Sequence, residues 1–192
     1  TLGRVVFDGR ELRPGQVTKT VRRGMGLAPE ERKSQALLLL DSVARNVSLA
    51  SLSRYARFGW VRHSRELAET RKQTEELDLR PPDVTRAVGT LSGGNQQKAV
   101  VARWLLKGCR LLLLDEPTRG VDVGARAELY AVIRAVADSG VAVLLVSSEV
   151  PEVLGLADRV LVLREGRVVT EVDAREIDEH QVLDLVMKGT PA

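Results

Sequence analysis

Cysteine occurs once in this chain of 192 residues, histidine, methionine, tryptophan, tyrosine and phenylalanine twice each. A single Cys109 excludes an internal disulfide, which fits a reducing compartment. Placed just before an apolar run, it reads as a small core residue, with a reactive thiol the less favoured alternative. No apolar run approaches the roughly 20 residues needed to span a bilayer, and no signal-peptide pattern argues for export. Nothing suggests an internal repeat or a disordered linker. His63 and His180 stand far apart and read as surface residues. The first residue is Thr1 and not Met, so the sequence reads as a piece of a longer chain. What is present is ordinary for a globular fold with one core: 44% hydrophobic and 29% charged residues. The net charge of +3 hides a segregation. Residues 1–110 carry 21 Lys and Arg against 11 Asp and Glu, a net of +10, and residues 111–192 carry 8 against 15, a net of −7. A basic front half suits an anionic membrane surface, a nucleic acid or the acidic loops of a partner; it is equally read as a solvated surface.

The chain is organised around Leu91-Ser92-Gly93-Gly94-Asn95-Gln96-Gln97-Lys98. Leu91 closes a loop, and Ser92 is a helix N-cap whose hydroxyl accepts a free N–H of the first turn. Gly93 and Gly94 carry no Cβ and let a ligand approach their backbone. Asn95 to Lys107 suits a helix. Its start is an anion site through unpaired N–H groups and the positive end of the dipole. Alone, the Ser-Gly-Gly triplet is more often a turn that merely caps a helix. Leu111 to Leu114 changes the balance, because it is an apolar run without alternation, as in a strand buried on both faces. It ends in Asp115-Glu116-Pro117, and an acid at the carboxyl end of such a strand sits where open α/β sheets bind ligands. Two adjacent acids can divide the work: one, Asp115, can hold a magnesium ion through water, and the next, Glu116, can orient or deprotonate an attacking water.

Thr118-Arg119-Gly120-Val121-Asp122 follows. In order and spacing, these three stretches resemble the signature motif, Walker B motif and D-loop of ABC-type ATPases. The Asn-Gln-Gln-Lys ending and the Thr-Arg-Gly-Val-Asp form are most similar to the carboxyl-terminal half of the duplicated ATPases that power bacterial sugar importers. The resemblance covers essentially the whole chain, though not a whole ABC domain. It implies an α/β fold of the P-loop NTPase type, with a mostly parallel sheet and an inserted helical subdomain, truncated at the N-terminus. Residues 1–28 and 111–192 are then core, and 29–110 hold the Q-loop region, the helical subdomain and the signature helix. It implies ATP and Mg2+ as ligands. The signature residues Leu91, Ser92, Gly93, Gly94, Asn95 and Gln96 serve ATP held by the other half of a head-to-tail pair. Gly120, Val121 and Asp122 form the D-loop. The implied partners are that second half, membrane permease subunits docking on the helical subdomain and Q-loop, and indirectly a solute-binding protein. No nucleic acid is expected. The implied location is peripheral, on the cytoplasmic face of the inner membrane.

Along the chain, Arg4 to Phe7 and Arg10 to Leu12 read as a hairpin around Asp8-Gly9. Val17 to Gly24 suits a short helix and Gly24 to Ala28 a strand. Pro29-Glu30-Glu31-Arg32-Lys33 matches the Q-loop by position, with Glu30 where a Gln usually stands; by itself it reads as an exposed charged loop. Ser42 to Leu52 is expected helical, with Val43, Val47 and Leu49 on its apolar side. Tyr55 to His63 reads as irregular, with Phe58, Gly59 and Trp60 among arginines. Such aromatics can mark nucleic-acid stacking, but their scarcity favours packing beneath a loop. Ser64 to Leu79 reads as an exposed helix ended by Pro81-Pro82. Beyond Asp122, Leu129, Val132, Ile133 and Val136 fall on one helical face. Gly140 ends that helix, and Val141 to Val146 is a second continuous apolar strand. A short helix at Glu149 to Leu156 leads to strands at Arg159 to Leu163 and Arg167 to Val172. Strand, helix, strand predicts parallel neighbours. Asp178 and Gln181 resemble a capping box for a last helix from about Glu179 to Met187.

Two departures qualify the resemblance. The phosphate-binding Gly-x-x-x-x-Gly-Lys-Ser/Thr appears nowhere in these residues. The strand ending at Val146 leads into Ser147-Ser148-Glu149, so Ser148 stands where most relatives carry a His that contacts the γ-phosphate. Serine donates a hydrogen bond but cannot carry an imidazole's charge, so this half's own site is expected to be weakened. The leading expectation is an ATP-hydrolysing portion that drives import of a sugar or similar polar solute. The alternatives are a non-catalytic partner module and a soluble ABC ATPase acting on nucleic acid or ribosomes.

Overall fold

The computed structural model describes residues 3–57 and 60–188. Phe58 and Gly59 lie outside them. The chain opens with the hairpin β1 (Val5–Phe7) and β2 (Arg10–Leu12), antiparallel around Asp8 and Gly9 at φ of 53° and 69°, the two left-handed residues that a two-residue hairpin turn requires. Then come α1 (Val17–Arg22), β3 (Met25–Ala28), a π-helical turn (Arg32–Ala36), α2 (Val43–Ser48), a 3-10 turn (Leu49–Ser51), α3 (Leu52–Tyr55), β4 (Ala56–Arg57), β5 (Trp60–Val61) and α4 (His63–Glu76). A 3-10 turn (Val88–Thr90) leads into α5 (Gly93–Lys107), β6 (Leu111–Asp115), α6 (Val123–Asp138), β7 (Ala142–Val146), α7 (Val150–Leu156), β8 (Arg159–Arg164), β9 (Arg167–Asp173) and α8 (Glu179–Lys188).

The sheet that positions the site has three parallel strands in the order β3-β6-β7. The leucine strand β6 lies in the middle, with Leu114 opposite Ala28 on one side and Leu145 on the other. Leu112 and Leu114 are buried in one cluster with Val100 of α5 and Leu129, Ile133 and Val136 of α6. Each such side chain removed from water stabilises the fold by about 1.5–3 kcal/mol. Gly26 lets α5 lie close to β3: a Cβ there would stand 2.7 Å from the Trp104 ring, whose Nε1–H donates to the Leu27 carbonyl at 2.8 Å. The opposite face is different from the expected two-sided burial. Leu111 and Leu113 are half-buried, and Leu27, Leu144 and Val146 are 47%, 54% and 56% exposed, because no element among the described residues covers them.

The helical layer packs α2, α4 and α5 together. Its interior is partly polar. Arg103 of α5 is buried and donates to the carbonyls of Asn46 and Ala36 at 2.7 and 2.8 Å; the Asn46 amide in turn donates to the carbonyls of Leu38 and Ser42, both at 3.0 Å. The face that α4 turns inward is Glu66, Thr70 and Thr74, and the Ser48 hydroxyl donates to Glu66 Oε1 at 2.5 Å. Hence the helix expected to be exposed buries one polar face, and it ends four residues before Arg80 with Asp78 in the left-handed region at φ 47°. Leu49 is exposed and not on the apolar side, since the chain tightens into a 3-10 turn there. Tyr55 is buried, but Trp60 is 82% exposed on the β4–β5 hairpin and packs under nothing.

A second, smaller core gathers Val160 and Val162 of β8 with Val182 and Leu185 of α8. β8 pairs antiparallel with β9 and, among the described residues, is not bonded to β7, so the parallel neighbour expected of the last crossover is not seen. The capping box of α8 is formed: the Gln181 N–H donates to Asp178 Oδ1 at 2.8 Å, and the Asp178 N–H donates to Gln181 Oε1 at 2.9 Å. No helix among the described residues is long and apolar enough to cross a membrane.

Candidate functional site

The site is built where α5 begins and β6 ends. Ser92 is exposed, and its hydroxyl accepts the Asn95 Nδ2–H at 3.0 Å and, at a longer 3.5 Å, the Asn95 backbone N–H. α5 therefore starts at Gly93, two residues before the predicted Asn95. The next residues are fixed from behind. Asn95 Oδ1 accepts the Arg80 N–H at 2.7 Å, and Gln96 Nε2 donates to the Leu91 carbonyl at 3.1 Å. Buried Lys98 donates to the Asp78 carbonyl and to Glu128, both at 3.0 Å. The glycines have a role that sequence reasoning did not give them. A Cβ on Gly93 would stand 2.4 Å from the Gly120 carbonyl oxygen and 2.7 Å from Arg32 Nη2; one on Gly94 would stand 3.2 Å from the Ala125 Cβ. The space left by their missing side chains is taken by the loop between β6 and α6.

β6 delivers Asp115 and Glu116 at its carboxyl end. Asp115 is half-buried, and among the described residues its carboxylate has no hydrogen bond or ion pair. Glu116 leaves the strand at φ 45°, a left-handed conformation that a non-glycine residue adopts at a cost of order 1–3 kcal/mol. Its N–H donates to the Val146 carbonyl at 2.9 Å. This turn carries the side chain across to the end of β7, where Oε1 accepts the Ser148 N–H at 2.8 Å and Oε2 accepts the Ser148 hydroxyl at 3.2 Å. The residue at the histidine position thus touches the acid directly.

The loop after Glu116 folds back on itself: the Arg119 N–H donates to the Glu116 carbonyl at 3.0 Å and the Val121 N–H to the Thr118 carbonyl at 2.9 Å. Gly120 takes φ 66°. Val121 is buried, and Asp122 is exposed at the start of α6 with no side-chain capping bond. Glu30, at the Q-loop position, forms an ion pair with Arg119. Arg32 reaches the same loop from the other side, donating from Nη1 to the Arg119 carbonyl at 2.6 Å and from Nη2 to the Gly120 carbonyl at 2.9 Å. It is 6% exposed, and burial lowers its pKa below the ordinary guanidinium value. Sequence reasoning missed Arg32, because a run of charged residues after a proline reads as solvated. A shallow cavity of about 280 Å³ lies here, lined by Glu30, Glu31, Arg32, Lys33, Arg119 and Gly120.

The structure therefore brings Gly93, Gly94, Gly120, Val121, Arg119 and Glu30 into one contiguous region, with Glu116 and Ser148 meeting at the neighbouring strand ends. His63 is far from this chemistry, beside Glu66 at the start of α4. A magnesium ion usually keeps several waters and takes one or two carboxylates plus phosphate oxygens. Asp115, whose oxygens are uncommitted, fits that demand; Glu30 is neutralised by Arg119. No cage of three or more His, Cys, Asp or Glu side chains forms among the described residues.

Residues 1–119 match the family described as ABC transporter. Over 181 residues the chain is 46% identical to the ribose import ATP-binding protein RbsA of Rhodococcus jostii, covering 94% of this chain and 36% of that one. It is 43% identical to the arabinose import ATP-binding protein AraG of Ralstonia nicotianae, covering 98% of this chain and 38% of that one. The chain thus spans little more than a third of the length of these relatives. Among solved structures, a dimeric ATP-binding cassette in a post-hydrolysis state with ADP and phosphate shares the fold at a TM-score of 0.74 and 23% identity, covering 91% of this chain and 75% of that one.

Proposed function

The chain belongs to the ABC transporter family, and from that premise we propose that it is part of an ATP-hydrolysing subunit that drives import of a sugar through a membrane permease. The observation that carries this reading is the packing of the α5 start against the loop of Arg119 and Gly120, with Glu116 at the adjoining strand end. The exposed Ser92 caps a 15-residue helix, and a helix N-terminus is suited to phosphates, here held by a partner half. Asp115 would hold a magnesium ion through water, and such an ion would supply charge neutralisation at the phosphate oxygens. Glu116 orients or deprotonates the attacking water. Ser148 keeps its carboxylate aimed by two hydrogen bonds but supplies no positive charge. The sugar follows from the ribose and arabinose import relatives. The partners are then a second ABC half in a head-to-tail pair, permease subunits and, through them, a solute-binding protein. The subunit sits on the cytoplasmic face of the membrane.

One observation favours a second reading, a half that completes its partner's site and hydrolyses little itself: the acid is held by serine and not by an imidazole. Steady-state ATPase of Ser92→Arg and Glu116→Gln in the assembled full-length transporter tests both. Loss in Ser92→Arg with persistence in Glu116→Gln supports the partner role, and normal turnover in Ser92→Arg removes the proposal.

A further inference from the structure

We infer that Arg32 is a positioning residue that holds the loop of Arg119 and Gly120 in register with the start of α5, and that turnover at the site this face completes depends on it. The inference rests on the proposed function and gives a role to a residue that the sequence motifs do not single out. Its geometry is that of a clamp. Two terminal nitrogens of one planar guanidinium donate to two successive carbonyls, at 2.6 and 2.9 Å. Two donors in a rigid fork fix both the distance and the orientation of that peptide unit, which a lysine's single ammonium cannot do. The clamp is desolvated: Arg32 is 6% exposed and its Nε has no partner among the described residues. Burying a guanidinium is costly, so the contact is not a casual surface bond. It also lies under the α5 start, because Gly93 has the Gly120 oxygen and Arg32 Nη2 on the side where a Cβ would be. A Gly120 carbonyl released by Arg32 would be free to rotate, and the support under Gly93 would go with it. The Glu30–Arg119 ion pair ties the same two loops at the surface. Exposed pairs are worth about 0–1 kcal/mol, so it cannot substitute for the buried fork.

The test compares Arg32→Met and Arg32→Lys with wild type in the full-length assembled transporter, with Ser92→Arg and Arg159→Gln alongside. Hydrogen exchange of the peptide spanning Arg119 to Asp122 should accelerate on the order of tenfold in Arg32→Met, with no change in the β8–β9 hairpin. Per folded molecule, kcat should fall on the order of tenfold while KM for ATP stays within about twofold, because the fork aligns the closed site and does not bind the free nucleotide. Arg32→Lys, which restores the charge but not the fork, should recover part of kcat. It also serves as the folded variant should Arg32→Met not accumulate. Arg159→Gln, which breaks an exposed ion pair with Glu171 outside the site, should leave both readouts near wild type. Unchanged exchange at Arg119 to Asp122, or faster exchange with normal kcat per folded molecule, overturns the inference. Normal turnover in Ser92→Arg would instead overturn the proposed function, a result distinct from either.

Discussion

The carboxylate of Glu116 accepts both polar hydrogens of Ser148, the backbone N–H at 2.8 Å and the hydroxyl at 3.2 Å. The contact spans the ends of the neighbouring parallel strands β6 and β7, and the left-handed turn at Glu116 makes it reachable. The backbone donor is the shorter bond and survives any substitution except proline. Ser148→Ala should therefore leave Glu116 aimed and change the turnover of the full-length transporter by no more than about tenfold, the upper end for a hydrogen bond worth roughly 0.5–1.5 kcal/mol. A loss well inside the roughly 10²–10⁴-fold range of a missing acid–base group would mean the hydroxyl itself takes part in the chemistry.

The 192-residue chain by itself contains no Gly-x-x-x-x-Gly-Lys-Ser/Thr. The backbone cradle and lysine that hold ATP phosphates are supplied by that motif. Calorimetric titration of this chain with Mg-ATP should show no micromolar binding. A clear micromolar isotherm would show that the α5 start and Asp115 suffice to hold nucleotide.

Much of this region was legible before the structure. Ser92 and the two glycines mark the helix start, and the unbroken Leu111–Leu114 run marks the central strand. Both are local signals, set by capping chemistry and hydrophobic pattern. Arg32 was not legible, because a buried arginine and a solvated one look alike until the carbonyls it serves, 87 and 88 positions away, are placed beside it. The inward face of α4 was hidden for a related reason: Glu66, Thr70 and Thr74 are polar, so the helix shows no apolar stripe. The pairing of β8 with β9 was legible from the Glu165-Gly166 turn between them, whereas the parallel neighbour that strand, helix, strand predicts for β8 is not found among the described residues. The placement of Gly93 against Gly120 also changes how that glycine should be tested. Gly93→Asp would clash within the chain itself, whereas Ser92, exposed at the cap, can be enlarged without that clash.

Arg103 is the polar centre of the helical layer. Desolvation lowers its pKa to about 10, which still leaves it charged at neutral pH. Arg103→Met would leave the carbonyls of Asn46 and Ala36 unpaired in the interior. We predict a loss of roughly 2–4 kcal/mol in unfolding free energy, from a penalty of about 1–3 kcal/mol for each unsatisfied buried group. Urea denaturation measures it. An unchanged midpoint would show that water or repacking satisfies those carbonyls.

Tyr55 is buried, and desolvation together with its hydroxyl bond to Glu69 raises its pKa to about 12; burial also raises that of Tyr130. The unfolded chain ionises its tyrosines near pH 10. The neutral form of Tyr55 is therefore favoured by folding, and its contribution is fully present below about pH 10 and declines as pH rises from there towards 12. Ultraviolet difference titration should show Tyr55 not ionising at the ordinary pH while the fold persists. Ordinary ionisation of Tyr55 in the folded chain would contradict the packing described for α3 and α4.

The central proposal, which takes the second reading over a fully active half, is that this chain presents its α5 start to ATP held by a partner half and that its own acid has a lesser role. Steady-state ATPase of Ser92→Arg and Glu116→Gln, each in the assembled full-length transporter, tests it most directly. The account predicts that Ser92→Arg abolishes most hydrolysis and that Glu116→Gln lowers the total by only a few-fold, far short of the roughly 10²–10⁴-fold of a dominant acid–base group. A large loss in Glu116→Gln with near-normal turnover in Ser92→Arg would contradict it and reverse the two roles.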